Sequence, residues 1–215
     1  MNDKFFELSK EKQDRMINGA VRVFAENGYK HASTDDMVKV AGVSKGLWFH
    51  YFGNKLGLYE FMCEYAVRYF CMEISTSVDS KEKNYYKIVT QMIGAVDRVV
   101  KAYPYLPLFL YRLSIENDLD AAAVTVLGRE KLQSRVYSML KNAEFEQGLE
   151  RKDKEYMSGM VLYTLQGILL ENYHAIELQP DRMIKEMKEY IKRFQSFTAA
   201  FHVENTSGDL EDVAS

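Results

Sequence analysis

The segment from Ser33 to Lys55 constrains the fold of this chain more than any other part of its 215 residues. A short helix is predicted to begin at Ser33 or Thr34, because a hydroxyl there can accept a hydrogen bond from an unpaired backbone N–H group. Gly42 is predicted to end this helix, since glycine readily adopts the left-handed conformation that closes many helices. Ser44 then supplies a second N-cap. The pattern therefore predicts two short helices joined by a tight turn.

The apolar residues of this segment support the same interpretation. Met37, Val40 and Ala41 are spaced three and four residues apart, which predicts a narrow apolar stripe on the first helix. Val43 and Trp48 occupy the N′ and N4 positions of the second helix, where two apolar side chains close a hydrophobic staple and direct Trp48 into the core. A helix, a glycine-containing turn and a second helix form the helix-turn-helix pattern, in which the second helix presents its N-terminal side chains to DNA bases.

The residues that follow Ser44 also resemble a known family. Lys45-Gly-Leu-Trp-Phe-His-Tyr-Phe52, followed by Asn54-Lys55, is similar to the recognition helix of the TetR/AcrR family of bacterial transcription regulators. That family commonly shows Ser-Lys-Gly-Thr-Leu-Tyr-X-Tyr-Phe, then a polar residue and Lys. The similarity extends over residues 1–60, and the aromatic cluster followed by Lys is its most specific part. More weakly, Gly148-Leu149 with Asp153 resembles the turn before the eighth helix of the family.

The resemblance implies that the contacts with DNA come from the two short helices and the start of the next one. Lys45 is expected to project toward bases or phosphate, with a solvated surface lysine as the alternative, and Gly46 to let the backbone approach the duplex. Lys55 is expected to hold a phosphate, a contact that positions the protein but does not read sequence. The residues expected to contact DNA are Ser33, Thr34, Ser44, Lys45, Gly46, Leu47, Phe49, His50, Tyr51 and Lys55.

Two of these residues depart from the family pattern. Leu47 replaces the usual Thr, Ser or Ala; its apolar tip suits a thymine methyl group, and simple partial burial is an equal alternative. Phe49 replaces a common Tyr and cannot donate a phenolic hydrogen bond to phosphate. His50 and Tyr51 remain expected phosphate ligands, and His50 would add pH dependence because its charge changes near neutrality.

Long amphipathic patterns dominate the rest of the chain, which contains only three prolines, and they predict an all-α fold. We predict about nine helices: an N-terminal three-helix helix-turn-helix head over residues 1–53, and a C-terminal helical bundle for effector binding and dimerisation over residues 54–202. Residues 203–215 are acidic and rich in small residues, which predicts a disordered tail. The other predicted helices span 9–27, 85–102, 153–176 and 181–202, with one beginning near Asn54 and one or two within 108–147, broken near Asn117 or Gly128.

Composition and spacing also predict what the protein lacks. The net charge of −3 argues against a generic nucleic-acid binder, so DNA binding must come from a few placed cations. No apolar run approaches a membrane span and the N-terminus is not that of a signal peptide, so we expect a cytoplasmic protein. The four histidines show no metal-ligand spacing, and we predict no metal, no cofactor and no enzyme activity. Cys63 and Cys71 lie about 12 Å apart along one predicted helix, too far for a disulfide, and are expected to be buried thiols.

The C-terminal part is rich in Tyr, Phe and Met, most of which must form ordinary helical core. A helical bundle can also enclose an apolar cavity with a few polar groups, suited to a small hydrophobic or amphipathic effector. Gln166 and Asn172 lie on otherwise apolar helix faces and need a partner, which an effector or a second copy of the chain can supply. The residues assigned to effector binding are Tyr103, Phe109, Tyr163, Gln166 and Asn172.

The last helices carry an apolar stripe broader than a monomer needs. Two such helices from each subunit would form a four-helix bundle, as in the resembled family. A two-fold dimer would place two recognition helices on the half-sites of a palindromic operator in double-stranded DNA. The residues assigned to the homodimer interface are Ile184, Met187, Ile191, Phe194 and Phe197, with burial inside the monomer as the competing interpretation.

The sequence therefore predicts a ligand-responsive DNA-binding transcription regulator, most simply a repressor that a small molecule releases from its operator. Two alternatives remain open. One is a helix-turn-helix regulator with no small-molecule effector, which a solidly filled core near Gln166 would favour. The other is a helical binding protein without specific affinity for DNA.

Overall fold

The structure is a computed structural model that describes residues 3–145, 149 and 151–208, without the side chains of residues 3 and 200–208. The described residues form helices and no strand, with one isolated bridge between Asn84 and Glu144. The predicted all-α fold is therefore confirmed. After a short 3₁₀ helix, Asp3–Glu7, the α-helices are α1 (Lys10–His31), α2 (Thr34–Ala41), α3 (Lys45–Phe52), α4 (Lys55–Ser77), α5 (Tyr85–Ala102), α6 (Leu106–Ile115), α7 (Leu119–Leu140), α8 (Arg151–His174) and α9 (Pro180–Gly208).

The chain divides into two compact units. The first contains Met1–Thr76 and Ala95–Tyr137, and the second contains Ser77–Gly94 and Ser138–Ser215. Helices α5 and α7 each contribute residues to both units. The predicted division into a DNA-binding head and an effector and dimerisation domain is a division by function, and it stays a prediction.

Helix α1 forms the centre of the N-terminal core. Ile17, Ala20, Val21 and Phe24, spaced three, one and three residues apart, are all fully buried. Gly19 lies where α2 crosses α1, and a Cβ atom added there would lie 2.9 Å from the Cβ of Ala41. The close approach of the two helices therefore requires the absence of a side chain at this position.

The predicted end of helix α1 at residue 27 coincides with a break in helical geometry at Gly28. Gly28 has φ 68° and ψ 175°, a conformation that favours glycine, and one further turn, residues 29–31, follows it. We call this short segment, residues 29–31, the terminal turn of α1. This turn carries the two groups that the Lys55 ammonium group contacts, the Tyr29 ring and the Lys30 carbonyl.

The other helix boundaries agree with the sequence to different degrees. Helix α5 has the predicted bounds, and the region 108–147 contains a break at 116–118, whereas α7 passes through Gly128 without interruption. Pro180 is the first residue of α9, where a missing N–H costs no hydrogen bond. Helix α9 continues to Gly208, and the disorder predicted for 203–215 stays a prediction. Residues 209–215 and Gly148, with its resemblance to a family turn, lie outside the described residues.

The second unit has an aromatic core of its own. The rings of Tyr85 and Phe145 stack with centroids 4.4 Å apart, and Tyr86 packs edge-on against Phe145. The hydroxyl of Tyr86 lies 3.0 Å from Thr198 Oγ1 on α9, which joins the start of α5 to the last helix. In the part of the chain that the structure describes, no helix is long and apolar enough to span a membrane.

Candidate nucleic-acid interface

Helices α2 and α3 have the capped ends that the sequence predicts. Ser33 Oγ accepts a hydrogen bond from the N–H of Asp36 at 3.4 Å, and Ser44 Oγ accepts one from the N–H of Leu47 at 3.3 Å. Between them, Gly42 is left-handed, with φ 63° and ψ 40°, and its N–H donates to Val38 O at 3.0 Å. These local bonds fix the angle at which α3 leaves the turn.

Trp48 and Phe52 anchor α3 to the core. They lie one turn apart and retain only 1% and 8% of their exposed surface, and their rings make a T-shaped contact with centroids 5.9 Å apart. Phe52 also packs against Phe61 of α4 and Phe5 of the 3₁₀ helix, at 5.0 and 5.5 Å. The prediction that Trp48 belongs to the core is confirmed, so this tryptophan does not read bases.

The opposite side of α3 faces solvent. Lys45, Gly46, Phe49 and His50 are exposed, while Leu47 is half-buried. At 100° per residue, Gly46 and His50 lie on the face of α3 opposite Trp48 and Phe49 lies on its flank, while Lys45 is exposed as the first residue of the helix. A helix that enters a groove needs such an exposed face. The α2 stripe is corrected at one position: Met37 and Ala41 are buried, but Val40 is 48% exposed because the short helix turns only one face toward α1.

Lys45 makes an ion pair with a residue of α2. Its Nζ lies 2.7 Å from Asp35 Oδ1, and both side chains are more than half exposed. An exposed pair of this kind contributes little to stability. Its consequence is electrostatic, because the carboxylate lies beside a cation that is predicted to contact DNA.

Lys55 is held at the start of α4 by the terminal turn of α1. Its Nζ donates a hydrogen bond to Lys30 O at 3.2 Å and lies 4.7 Å from the centroid of the Tyr29 ring. Burial lowers the pKa of Lys55, and the negative charge of Asp118 opposes that shift. The side chain is half-buried, with its ammonium group in a defined position.

His50 and Tyr51 form an edge-on ring pair with centroids 5.0 Å apart, and Tyr51 also packs against Phe5. Thr34 is the first residue of α2 and is half-buried, like Ser33. The structure therefore brings the ten predicted DNA-binding residues onto α2, α3, their caps and the first residue of α4. Their contacts with DNA stay a prediction.

Two acidic residues near this surface were missed by the sequence analysis. The sequence analysis gave no role to Asp35, which pairs with Lys45, or to Glu116. The Glu116 carboxylate accepts hydrogen bonds from the N–H of Tyr29 and the hydroxyl of Tyr59, both at 3.3 Å. These are tertiary contacts between residues far apart in the chain, so no local pattern marks them.

The residues assigned to effector binding occupy different environments. Tyr103 and Phe109 are buried in the first unit, where the Tyr103 hydroxyl donates to Asp14 Oδ1 at 2.6 Å. In the second unit, Tyr163 is 75% exposed and Gln166 is exposed, so the α8 face that carries them is not a closed apolar face within one chain. Asn172 Oδ1 accepts the N–H of Gln179 at 3.0 Å and so orders the turn before α9. An effector role for these residues stays a prediction.

The residues assigned to the dimer interface divide into two groups. Ile184, Met187 and Ile191 are buried within the single chain, which agrees with the competing interpretation for these three positions. Phe194 is half-buried and Phe197 is 60% exposed. Further exposed apolar side chains lie on α8, namely Tyr156, Met160, Leu162 and Tyr163.

The thiols of Cys63 and Cys71 are buried and unbridged, as predicted, and burial raises the pKa of both. Over the described ranges, no cluster of three or more His, Cys, Asp or Glu side chains is arranged to hold a metal ion.

An all-helical chain in which α2 and α3 form a capped turn with an exposed recognition face belongs to the class of helix-turn-helix proteins. Residues 16–62 match the family model described as bacterial regulatory proteins, tetR family. By this N-terminal segment the chain is similar to the bacterial regulatory proteins of the tetR family. The resemblance stated from the sequence is confirmed.

One curated relative is also a helix-turn-helix transcription regulator. The chain is 28% identical over 100 residues to the biofilm operon icaADBC HTH-type negative transcriptional regulator IcaR of Staphylococcus epidermidis, an alignment that covers 44% of this chain and 52% of IcaR. The chain thus spans about half the length of this curated relative.

Solved structures show the same fold over most of the chain. The TetR-family regulator PfmR of Thermus thermophilus superposes with a TM-score of 0.59 at 19% identity, over 85% of this chain and 97% of PfmR. A TetR-like regulator from a Rhodococcus species gives a TM-score of 0.58 at 16% identity, over 86% of this chain and 97% of the other. At these identities the superpositions establish the fold alone.

Proposed function

We propose that this protein is a homodimeric transcriptional repressor that binds a palindromic operator through α2, α3 and the first residue of α4. One observation carries the proposal: Trp48 and Phe52 bury one side of α3, whereas Gly46 and His50 on the opposite side are exposed, as is Lys45 at the first position of the helix. A recognition helix needs this combination, since it must be rigidly seated and must also present side chains to the groove. The name of IcaR as a negative regulator supports the repressor role.

The chemistry of the proposed interface combines phosphate contacts with one apolar base contact. Lys45 and Lys55 are the cations placed to meet phosphates, and contacts of this kind fix register without reading sequence. Leu47, which is half-buried on the same helix as Lys45, would contact a thymine methyl group. Because the net charge of the chain is −3, these few lysines must supply the electrostatic attraction that other DNA-binding proteins draw from a basic surface.

We propose that the dimer forms through α8 and α9. Tyr156, Met160 and Tyr163 lie at helical spacing on one face of α8 and are each about half or more exposed, as is Phe197 on α9. An exposed apolar face of this extent on a soluble chain marks an interaction surface. The same two helices of a second copy would cover this face with the same apolar side chains. The two-fold symmetry of the dimer would then align two α3 helices with two half-sites.

The effector part of the proposal follows from the similarity to the tetR family. A small hydrophobic or amphipathic molecule would bind the helical bundle, favour a state of the dimer that cannot bind DNA, and so release the operator. The effector must bind that state more tightly than the DNA-competent state, because a ligand with equal affinity for both states does not shift the equilibrium between them. We further propose that the protein acts in the cytoplasm and catalyses no reaction.

A second candidate is a regulator that responds to no small molecule. It is favoured by the hydrogen bonds that already occupy Tyr103 and Asn172 within the chain, and by the exposed position of Gln166. In addition, the groove beside Asn172 between α8 and α9 encloses only about 90 Å³, against the roughly 300–1,000 Å³ of ordinary ligand pockets.

Selection of bound fragments from genomic DNA tests the proposal. Wild-type protein should retain fragments that share a palindrome, with half-sites about one helical turn or a multiple of it apart. Lys45→Gln and Lys55→Gln should each weaken retention, and each should reduce the slope of log affinity against log salt by about one if its lysine contacts a phosphate. Lys131→Gln, an exposed lysine on α7, is the matched control and should change neither quantity. The proposal would be contradicted if the retained DNA fragments shared no sequence and if neither Lys45→Gln nor Lys55→Gln changed their retention.

A further inference from the structure

Two side chains, one on α6 and one just after it, hold the backbone of α1 on both sides of Gly28. A regular α-helix would pair the carbonyl of Ala25 with the N–H of Tyr29, but the left-handed φ of Gly28 lies between them. Here Arg112 Nε of α6 donates to Ala25 O at 3.0 Å, and Glu116 Oε2 accepts the N–H of Tyr29 at 3.3 Å. We call Arg112 and Glu116 the Gly28 clamp.

Glu116 is itself held firmly in place. Its Oε1 accepts the N–H groups of Asn117 and Asp118, both at 3.0 Å, which orders the turn between α6 and α7. Its Oε2 also accepts the hydroxyl of Tyr59 at 3.3 Å, and Tyr59 is only 1% exposed. Because burial, the largest cause, and the nearby Glu116 both raise the pKa of Tyr59, this hydroxyl stays protonated and remains a donor.

The clamp acts on the segment that holds Lys55. The ammonium group of Lys55 lies over the Tyr29 ring and donates to Lys30 O, so both of its partners belong to the terminal turn of α1. Glu116 fixes the backbone of Tyr29 itself. Any change at Glu116 is therefore transmitted through one residue to the position of Lys55.

We propose that Glu116 is a positioning residue for DNA binding, which acts by holding the terminal turn of α1 so that Lys55 is preorganised for a phosphate. A lysine side chain that is free to sample its rotamers loses that freedom on binding, whereas one already seated loses less. Lysine carries three N–H donors and Lys30 O takes one of them, which leaves donors for a phosphate oxygen. This inference rests on the proposed function, since it concerns a contact with DNA.

A double-mutant cycle on duplex DNA tests it. The probe is a fluorescent pool of random-sequence duplexes of about 30 base pairs, long enough for two half-sites, because a phosphate contact does not depend on sequence. Glu116→Ala should weaken binding by about two- to tenfold but leave the salt slope nearly unchanged, because Lys55 still reaches its phosphate in the complex. Lys55→Gln, which removes the contact, should weaken binding and reduce the slope by about one. In the Lys55→Gln background, Glu116→Ala should change affinity by less than about twofold, because the two residues act through one contact.

Two further variants separate positioning from a general loss of structure. Glu116→Gln keeps the shape of the side chain but offers one oxygen in place of two, so it should give a smaller effect in the same direction. Glu130→Ala removes the same charge from an exposed position on α7 and should leave both affinity and salt slope unchanged. Circular dichroism and thermal melting check that every variant is folded before its affinity is compared.

The outcomes distinguish this inference from the proposed function. If Glu116→Ala weakens binding equally with and without Lys55, leaves binding unchanged or strengthens binding, Glu116 does not position Lys55 and the inference is overturned. If wild-type protein does not bind the duplex pool, or if Lys45→Gln and Lys55→Gln leave binding unchanged, the proposed function fails as well.

Discussion

Helix α3 buries Trp48 and Phe52 against its own chain and exposes the opposite face, whereas the residues buried on the much longer α8 are Val161 and Ile168. Both helices present aromatic side chains to solvent, but α3 buries two of its eight residues and α8 only two of its 24. The exposed face of α3 begins with lysine and glycine, as suits a polar partner, while that of α8 carries tyrosines and methionine. The comparison indicates that the recognition helix is seated by its own chain, and it supports the proposal that a second copy of the chain covers α8.

The largest expected effect comes from placing a charge on the exposed face of α8. Tyr163→Glu should convert the proposed dimer into monomers, because an isolated carboxylate is strongly disfavoured in an apolar interface. Analytical ultracentrifugation over a range of concentrations would measure the change. The head should remain folded, because its core lies within residues of the first unit.

Tyr137→Glu provides the matched control for this prediction. Tyr137 is 69% exposed on α7, close to the 75% of Tyr163, but it lies outside α8 and α9. Dissociation by both substitutions, or by neither, would contradict the assignment of the interface to α8 and α9.

A large loss of stability is expected from Trp48→Ala. Removing a fully buried Trp side chain from a core typically costs about 3–5 kcal/mol of unfolding free energy, because a cavity remains where the ring was packed. Chemical denaturation followed by circular dichroism would measure it. Trp48→Phe should lose less: Trp48 Nε1 has no hydrogen-bond partner among the described atoms, so no bond is broken. If Trp48→Ala had the same unfolding free energy as the wild-type protein, Trp48 would not anchor α3 to the core.

The smallest expected effect concerns the charge beside Lys45. Asp35→Asn should strengthen binding to random duplex DNA by a factor of about two to five, because exposed ion pairs are worth only about 0.2–1 kcal/mol. The reason is that Lys45 would no longer share its ammonium group with a carboxylate 2.7 Å away. Fluorescence anisotropy at low salt would measure the change.

Asp36→Asn is the control for Asp35→Asn, since Asp36 is the adjacent exposed acid in the first turn of α2. Both substitutions remove one negative charge from the same helix end, so a specific effect of the ion pair appears only as the difference between them. If the two substitutions increase the affinity for DNA equally, the effect of Asp35→Asn comes from the loss of one negative charge and not from the loss of its ion pair with Lys45.

Local chemistry made the helix-turn-helix predictable from sequence. The caps at Ser33 and Ser44 and the turn at Gly42 each involve atoms within a few residues of one another, and all three appear as predicted. The same holds for Trp48, whose burial follows from its place one turn after an N-cap. Longer-range features were not accessible in this way, since Glu116 meets Tyr29 and Tyr59 only after α1, α4 and α6 have packed.

The apolar stripe of α9 illustrates a second limit. Helical spacing correctly placed Ile184, Met187 and Ile191 on one face, but spacing does not say whether a face meets its own chain or another copy. The structure buries these three residues within one chain and leaves Phe197 exposed. Periodicity therefore identifies a buried face, and only the packing of neighbouring helices identifies what buries it.

The close crossing of α1 and α2 at Gly19 has a practical consequence for protein engineering. A Cβ at position 19 would lie 2.9 Å from the Cβ of Ala41 and 3.0 Å from Met37 O, so the space at this crossing is already full. A recognition helix grafted from a relative together with its α2 would keep its orientation only if the graft brings a residue no larger than alanine to position 41. Designers who wish to exchange operator specificity between such proteins should therefore treat positions 19 and 41 as one unit of exchange.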